Sequence, residues 1–209
     1  MSKQLRILHF IYALSGGGAE RQLQFLLKYA PENSSHGVLC VEPGDIDLSK
    51  FGAEVFVHQR QGKFDWGLYH TCYKTIKTFK PDVLHLWLPP VLTIPAMSIG
   101  ALLKKPMIFS YRSRMSFERP LMVLEYVLAL LFSKKVISNN SVLQSAKHYQ
   151  LLYHCKNGIT LSNGLDFSVI GKKNDFEVKH NKPIKMIFVG RLVKEKNIIN
   201  LILALDKIP

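Results

Sequence analysis

Three groups of residues in this 209-residue chain have types and spacings suited to binding a phosphorylated ligand. The first is a glycine-rich turn, Gly16-Gly17-Gly18, followed closely by Glu20. Glycines let a ligand approach the backbone, and a helix that starts after the turn offers N–H groups and the positive end of its dipole to an anion. The turn predicts a phosphate or sugar site, and a purely structural tight turn is the alternative.

The second group is Ser110-Tyr111-Arg112-Ser113-Arg114, which begins where a predicted strand ends. Arg112 and Arg114 beside hydroxyl groups suit the recognition of phosphates or sugar hydroxyls. A solvated basic loop is the alternative interpretation of the same residues.

The third group follows Gly190 near the end of the chain and consists of Arg191 and Lys196. Two cations five residues apart at the start of a predicted helix suit a diphosphate. Fixed positive charge there would stabilise a departing nucleotide.

His85 and Trp87 end another predicted strand, at the edge where open α/β sheets bind their ligands. His85 is therefore a candidate cleft residue, although its place in the strand equally fits a hydrogen-bonded core histidine. Asn163-Gly164, taken alone, indicates only a turn.

Short apolar runs alternate with segments of helical period along most of the chain. They predict a mostly parallel sheet covered on both faces, which right-handed crossovers make a doubly wound, Rossmann-like α/β fold. The predicted strands are 6–12, 37–41, 54–57, 82–86, 107–111, 136–138 and, at an edge, 159–161; the predicted helices are 17–30, 66–79, 93–103, 121–132 and 142–149.

The chain is expected to contain one domain and the beginning of another. Residues 1–167 form the predicted α/β domain, and the polar, poorly periodic residues 168–183 form a linker. A strand at 185–190 and a helix at 195–208 then begin a second domain over 184–209. A strand-helix unit of this size cannot bury its apolar faces alone.

The charge favours anionic partners. Lys and Arg number 28 against 15 acidic residues, which gives a net charge of +13. No zinc-finger, homeodomain or RNP motif accompanies this charge, so nucleic acid is not the expected partner. The three cysteines are widely spaced and the N-terminus lacks a signal-peptide pattern, so a reducing, cytoplasmic location is expected.

The apolar segment 121–132 is too short to cross a membrane, because a spanning helix needs about 20 apolar residues. It is expected to be a buried core helix. An interfacial helix at an anionic membrane surface is the alternative, because cations flank the segment: Arg112, Arg114, Arg119, Lys134 and Lys135.

Several motifs, taken in order, resemble those of the large retaining glycosyltransferase family 4. The resemblance covers nearly the whole chain. The matching residues are Gly17-Gly18-Ala19-Glu20, Pro81-Asp82-Val83-Leu84-His85, the serine before Val142, Ser162-Asn163-Gly164-Leu165-Asp166, and Val189-Gly190-Arg191-Leu192 with Glu195-Lys196-Asn197.

This resemblance implies a GT-B fold, in which the cleft between two Rossmann-like domains holds the active site. The N-terminal domain would bind the acceptor, and the C-terminal domain a UDP- or GDP-sugar, with no metal or other cofactor. The implied donor-phosphate residues are Gly16, Gly17, Gly18, Arg191 and Lys196, and the implied acceptor or cleft residues are Glu20, His85, Arg114 and Asn163.

Two departures from the family pattern stand out. Arg112 occupies the place where many members carry an active-site histidine, so Arg112 is the candidate catalytic residue. The Glu-x7-Glu donor motif of the family lies beyond the end of this sequence, so the chain alone is expected to be inactive.

Three functions remain open from the sequence. The first is transfer of a sugar to a glycan or lipid-linked acceptor in polysaccharide or lipopolysaccharide synthesis, at the inner face of a membrane. The second is a non-catalytic binding fragment. The third is a nicotinamide-binding domain, which rests on the glycine turn and Glu42, although Arg21 stands where the fingerprint Gly-x-Gly-x-x-Gly requires its third glycine.

Overall fold

Seven parallel strands form one sheet in the order β3-β2-β1-β4-β5-β6-β7. The doubly wound α/β fold expected from the sequence is confirmed, because the strand order reverses between β1 and β4. The strands are β1 Leu5–Phe10, β2 Ser34–Cys40, β3 Glu54–Val57, β4 Val83–Trp87, β5 Met107–Tyr111, β6 Lys135–Ser138 and β7 Ile159–Thr160.

The computed structural model describes residues 4–62, 65–87, 89–112, 119–139, 147–167, 186–190, 192 and 196–206. The chain divides into two compact units, Met1–Val169 and Ile170–Pro209. The helices of the first unit are α1 Gly18–Lys28, α2 Gly67–Phe79, α3 Pro90–Leu102, α4 Pro120–Phe132 and α5 Lys147–Cys155, with a short 3₁₀ helix at Leu48–Phe51; the second unit contains α6 Ile198–Leu205.

The sheet separates two hydrophobic cores, because successive side chains of a strand point to opposite faces. Leu8 and Phe10 of β1 pack with buried residues of α2, α3 and α4 on one face. Leu23 and Leu27 of α1 pack with Val38 of β2 on the other. The carboxyl ends of the strands meet at one edge, where loops carry the candidate site residues.

Several boundaries differ from expectation in the first unit. Strand β1 ends at Phe10 rather than at residue 12, and α3 begins at Pro90 rather than at residue 93. Strand β2 begins at Ser34 rather than at residue 37, because its polar start continues the pairing with β1 from Leu5 onward. The helix expected at 142–149 is described only from Lys147, and it runs on to Cys155.

The second unit differs more. Residues 186–190 carry no strand, although one was expected at 185–190. A strand requires a neighbour to hydrogen-bond with, and no other strand is found in the described residues of this unit. Helix α6 is present, with large apolar side chains such as Ile199 exposed.

Helix α4 is buried on one face only, so the expectation of a buried core helix is half right. Glu125, Tyr126 and Ala129 face the interior. The opposite face is exposed and apolar, and we call it the α4 stripe: Leu121, Leu124, Val127 and Leu131, with Phe132 at its end. Within the described residues, no helix is long and apolar enough to cross a membrane.

Candidate functional site

The glycine turn connects β1 to α1 at the carboxyl edge of the sheet. The N–H of Gly17 donates to the Ser15 carbonyl at 2.7 Å, and α1 begins at Gly18. The Glu20 carboxylate folds back into the space that a Cβ at residue 17 would occupy, so a larger residue there would displace the Glu20 side chain. A Cβ at Gly16 or Gly18 would meet nothing described within 4 Å, and the backbone there is accessible to a ligand.

The segment 161–167 packs along α1. Gln22 and Gly164 exchange two hydrogen bonds, from Gln22 Nε2 to the Gly164 carbonyl at 2.9 Å and from the Gly164 N–H to Gln22 Oε1 at 2.7 Å. Lys28 Nζ and the Tyr29 hydroxyl both donate to Asp166 Oδ2, at 2.6 and 3.1 Å. The Asn-Gly-Leu-Asp motif is therefore fixed on α1 rather than forming an isolated turn.

Arg112 follows β5 and lies between two partners. Its guanidinium carbon is 4.4 Å from the centre of the Trp87 ring, and its Nη1 donates to Asn163 Oδ1 at 2.9 Å. Burial lowers the pKa of Arg112 to about 10, which leaves the side chain charged at neutral pH. A cation held against an aromatic face in this way presents a planar fork of donors suited to phosphate, carboxylate or sugar hydroxyls.

A row of side chains, all buried except the partly exposed Ser34, lies beneath Arg112 and crosses four strands; we call it the histidine row. Its atoms are joined by contacts of hydrogen-bond length, from Ser110 Oγ to His85 Nε2 (2.7 Å), His85 Nδ1 to His9 Nδ1 (3.2 Å), His9 Nε2 to His36 Nδ1 (3.0 Å) and His36 Nε2 to Ser34 Oγ (2.9 Å). His9 and His85 face each other across β1 and β4. Trp87 Nε1 also donates to His9 Nδ1, at 3.3 Å.

The hydrogen bonds assign the histidine tautomers, working from one end of the row. The Ser34 hydroxyl donates to the Pro31 carbonyl at 2.6 Å, so Ser34 Oγ accepts from His36 Nε2. His36 Nδ1 then accepts from His9 Nε2, and His9 Nδ1 accepts from His85 Nδ1. All three rings are neutral, and the donors point in one direction along the row.

Burial keeps these rings neutral. Desolvation lowers the pKa of His85 to about 3, with the charge of Arg112 as a second cause. Desolvation also holds the pKa of His9 well below its usual range, and it lowers that of His36. The row therefore fixes the Trp87 indole, and the indole in turn supports the Arg112 guanidinium.

The structure brings Arg112 and Asn163 together and connects both to α1 through Gly164. His85 lies in the core with both ring nitrogens engaged, so its role as a cleft residue remains a prediction. Arg114 and Arg191 lie outside the described residues, and Lys196 is exposed in the second unit.

Sequence reasoning missed His9 and His36. The only sequence signal for a buried histidine was its place between two apolar residues of a strand, as for His9 between Leu8 and Phe10. Among the residues that the structure describes, no group of three or more His, Cys, Asp or Glu side chains is arranged to hold a metal ion.

No protein-family model matches this sequence, and the search of curated proteins also gives no match. Solved structures do match. Anabaena Alr3699/HepE, crystallised with UDP and glucose, aligns over 78% of this chain and 46% of its own, with a TM-score of 0.64 and 18% identity.

Two further similar structures are a complex with UDP-GlcNAc and a complex with UDP. UDP-GlcNAc 2-epimerase from Neisseria meningitidis, bound to UDP-GlcNAc, aligns over 76% of this chain and 46% of its own, with a TM-score of 0.57 and 11% identity. S. aureus MnaA, in complex with UDP, aligns over 76% of this chain and 44% of its own, with a TM-score of 0.55 and 13% identity. The chain spans about half the length of these proteins, and it has the Rossmann-like fold that their matching halves share.

Proposed function

We propose that this chain is the acceptor-binding half of a retaining glycosyltransferase that uses a nucleotide sugar. The observation that carries the proposal is Arg112, a cation fixed between Trp87 and Asn163 at the carboxyl edge of the sheet. Doubly wound proteins bind ligands at this edge. The fold similarity to proteins crystallised with UDP or a UDP-sugar supports a nucleotide sugar as the donor.

Each residue has a distinct part in this proposal. The accessible backbone of Gly16 and Gly18 approaches the donor phosphates at the N-terminus of α1. Arg112 stabilises the negative charge that builds up on the departing nucleotide. Lys196 and Arg191 stay donor-phosphate residues that only the motif resemblance implies.

The proposed acceptor is a glycan or lipid-linked molecule of polysaccharide or lipopolysaccharide synthesis, used at the cytoplasmic face of a membrane. The α4 stripe supports this location, since exposed leucines such as Leu124 and Leu131 would gain from contact with lipid. Exposed cations stand at both ends of the helix and would attract an anionic surface: Arg119, Lys134 and Lys135.

A titration followed by ¹H–¹⁵N NMR tests the nucleotide-sugar site. UDP-glucose, UDP-GlcNAc and GDP-mannose are added in turn to the protein. We expect at least one of them to shift the amide signals of Gly16, Gly17 and Gly18 and the side-chain signal of Arg112 in a saturable way. If none of the three shifts these signals, the proposed site is wrong.

Substitution of the arginine sharpens this test. Arg112→Gln removes the charge and should weaken binding at least tenfold, because hydrogen bonds to charged groups contribute about 1.5–3 kcal/mol. Arg119→Gln, at an exposed arginine that begins α4, is the matched control and should leave binding unchanged. Equal binding by both variants would contradict the role of Arg112.

A second candidate function, left open by the sequence, is that this chain binds an acceptor without turning it over. Incubation with the sugar nucleotides and candidate acceptors separates the two, since measurable transfer by the chain alone contradicts a binding-only role. Saturable binding of NADH in a fluorescence titration would instead favour a nicotinamide-binding domain.

A further inference from the structure

Helix α2 and the residue before it carry a row of aromatic and basic side chains on their solvent side. We call this row the α2 face; Tyr69 is half-buried there and the others are exposed: Trp66, Tyr69, His70, Tyr73, Lys74 and Lys77. These positions recur at intervals of three or four residues, so their side chains lie along one side of the helix. The opposite side of α2, with Leu68, Ile76 and Phe79, is buried in the core. The α2 face therefore points away from the core.

Aromatic rings form the first part of the α2 face. Trp66 is 78% exposed, and the centre of its ring lies 5.5 Å from that of Tyr69, at an interplanar angle of 33°. Tyr73 follows one helical turn after Tyr69 and is 41% exposed. The face of an aromatic ring is apolar and carries partial negative charge, so it suits the C–H side of a sugar ring.

Lysines form the second part of the α2 face. Lys77 Nζ lies 5.7 Å from the centre of the Tyr73 ring. Lys77 also lines a cavity of about 370 Å³, open to solvent, which we call the lysine hollow: Ile76, Lys77, Lys80, Leu103 and Lys105. Lys105 gives one of its three donors to the Pro81 carbonyl, at 2.8 Å, and keeps two for a ligand.

The lysine hollow stays positive when the nearby negative groups are counted. Helices α2 and α3 both end there, and each C-terminus contributes about half a negative charge, against three lysines in the lining. The sequence of α2 contains no acidic residue.

The two acidic residues that flank α2 in the sequence have partners of their own. The Asp65 carboxylate accepts from the Gln61 N–H at 2.7 Å and contacts His58 Nε2 at 2.8 Å. The Asp82 carboxylate accepts from the Arg6 N–H at 3.0 Å. Neither acid is part of the lining of the lysine hollow that the structure describes.

The composition of the α2 face distinguishes its ligand from a lipid. Every Leu, Ile and Phe of α2 is buried, whereas the α4 stripe consists of exposed residues of these types and valine. Insertion into lipid would therefore gain little from the α2 face. Rings beside cations suit a chain that is itself made of rings and carries negative charge, which describes an acidic glycan or a single-stranded nucleic acid. The sequence lacks a zinc-finger, homeodomain or RNP motif, and the proposed function favours the glycan.

We propose that the α2 face binds an acidic oligosaccharide, with sugar rings against Trp66 and Tyr69 and a carboxylate at Lys77 and the lysine hollow. A helix rises about 21 Å from Trp66 to Lys80, so the ligand is a chain of several sugars rather than a single one. Helix α2 starts after β3 at the carboxyl edge of the sheet, so one end of the bound chain lies at the edge that carries the proposed site. The identification of this chain as the acceptor rests on the proposed function.

Tetragalacturonate, an acidic tetrasaccharide, is the probe. Isothermal titration calorimetry compares it with maltotetraose, which has the same kind of linkage without the carboxylates, and with tripolyphosphate, which has charge without rings. We expect saturable binding of tetragalacturonate and at least tenfold weaker binding of each of the other two. Absence of tetragalacturonate binding would overturn the proposal, and so would equal affinity for either comparison ligand.

Variants of the aromatic part locate the sugar rings. Trp66→Ala should weaken tetragalacturonate binding at least tenfold, and the exposure of this side chain leaves little risk to folding. Trp66→Phe keeps an aromatic ring and should bind within about threefold of the parent protein, as expected for stacking. Unchanged binding by Trp66→Ala would overturn the proposal.

Variants of the basic part locate the carboxylate. Lys77→Glu places a negative charge between the α2 face and the lysine hollow and should weaken tetragalacturonate binding at least tenfold. Lys50→Glu, at an exposed lysine of the 3₁₀ helix, makes the same change of net charge elsewhere and should bind as the parent protein does. Equal binding by the two lysine variants would overturn the proposal, because the net charge alone would then attract the ligand.

A nucleic-acid probe completes the experiment. Tetrathymidylate also combines rings with negative charge, and we expect it to bind at least tenfold more weakly than tetragalacturonate. Tighter binding of tetrathymidylate, lost in Trp66→Ala, would assign the α2 face to single-stranded nucleic acid and overturn the assignment to a glycan.

The two proposals fail in different ways. Absence of tetragalacturonate binding, with the UDP-sugar shifts at Arg112 present, removes only the acidic glycan and leaves the proposed function standing. The reverse result keeps the α2 face as a glycan-binding surface and removes the glycosyltransferase assignment.

Discussion

Glu125 is a carboxyl group with no exposed surface, between α4 and α3. Burial raises its pKa to about 7, and the hydrogen bond with the Thr93 hydroxyl opposes this only in part. The Thr93 hydroxyl has one proton and two acceptors in reach, Glu125 Oε1 and the Pro89 carbonyl. A protonated Glu125 satisfies the Thr93 hydroxyl and the Pro89 carbonyl, because it donates to Thr93 while Thr93 donates to Pro89.

The pKa fixes the sign and size of the effect on stability. A tenfold change in an acid dissociation constant corresponds to about 1.4 kcal/mol. The rise in the pKa of Glu125 from 4.5 to about 7 therefore lowers the free energy of unfolding by roughly 3 kcal/mol when Glu125 is ionised in both the folded and the unfolded state. The folded state holds the proton more tightly than the unfolded state. This contribution is therefore fully present below pH 4.5 and is lost as the pH rises through about 7.

Glu125→Gln keeps the shape of the side chain and removes the titration. At pH 5 we expect the variant and the parent protein to have similar free energies of unfolding. At pH 8 the variant should be more stable by roughly 3 kcal/mol, because the parent then buries a charge. Urea unfolding followed by circular dichroism at both pH values measures this difference, and the other titrating groups cancel between the two proteins.

Glu54→Gln, at an exposed glutamate, controls for the loss of one negative charge. The reasoning is refuted if the difference between the Glu125→Gln variant and the parent protein is the same at pH 5 and at pH 8. It is also refuted if the variant is less stable than the parent at pH 8.

Three more experiments test other features of the first unit. His9→Phe leaves Trp87, His85 and His36 without their shared partner and should lower the free energy of unfolding by about 3 kcal/mol. In a Trp66→Phe background, the same substitution should also shift the fluorescence emission of Trp87. An unchanged emission spectrum would contradict the role of the histidine row. Gly44→Ala should destabilise the protein by about 1–3 kcal/mol in thermal unfolding, because a Cβ there would collide with the Leu14 carbonyl. Gly52→Ala is the comparison: its Cβ would meet no neighbour, and the substitution removes only the freedom of glycine to adopt a positive φ. The double variant Leu124→Glu, Leu131→Glu should not co-sediment with phosphatidylglycerol vesicles. Vesicle binding by the parent protein should fall as salt is added. Salt-independent binding would refute the contribution of the flanking cations to membrane binding.

The sequence predicted the bounds of some strands and missed those of others. The bounds of β3 and β5 agree with expectation, because Glu54–Val57 and Met107–Tyr111 are short runs with clear ends. The start of β2 was missed because Ser34, Ser35 and His36 are polar. Pairing with β1 overrides that local composition, and no local pattern in the sequence carries the information.

The site was only partly predictable for a related reason. Arg112 was found because an arginine at a strand end is itself a chemical signal. Its supports, Trp87 and Asn163, lie 25 and 51 residues away along the chain, and only the folded sheet places them beside it. Gln22 and Gly164 are 142 residues apart, so the sequence of the Asn-Gly motif could indicate a turn but not its contact with α1.

The histidine row also has a consequence for how the strands align during folding. A shift of β1 by one residue would turn His9 to the opposite face of the sheet, among the leucines that pack on α2 and α3. Such a shift would leave His36, His85 and Trp87 each with an unmatched buried group at once. Apolar strands of this kind could slide past one another at modest cost, whereas β2, β1, β4 and β5 can satisfy the row in one register only.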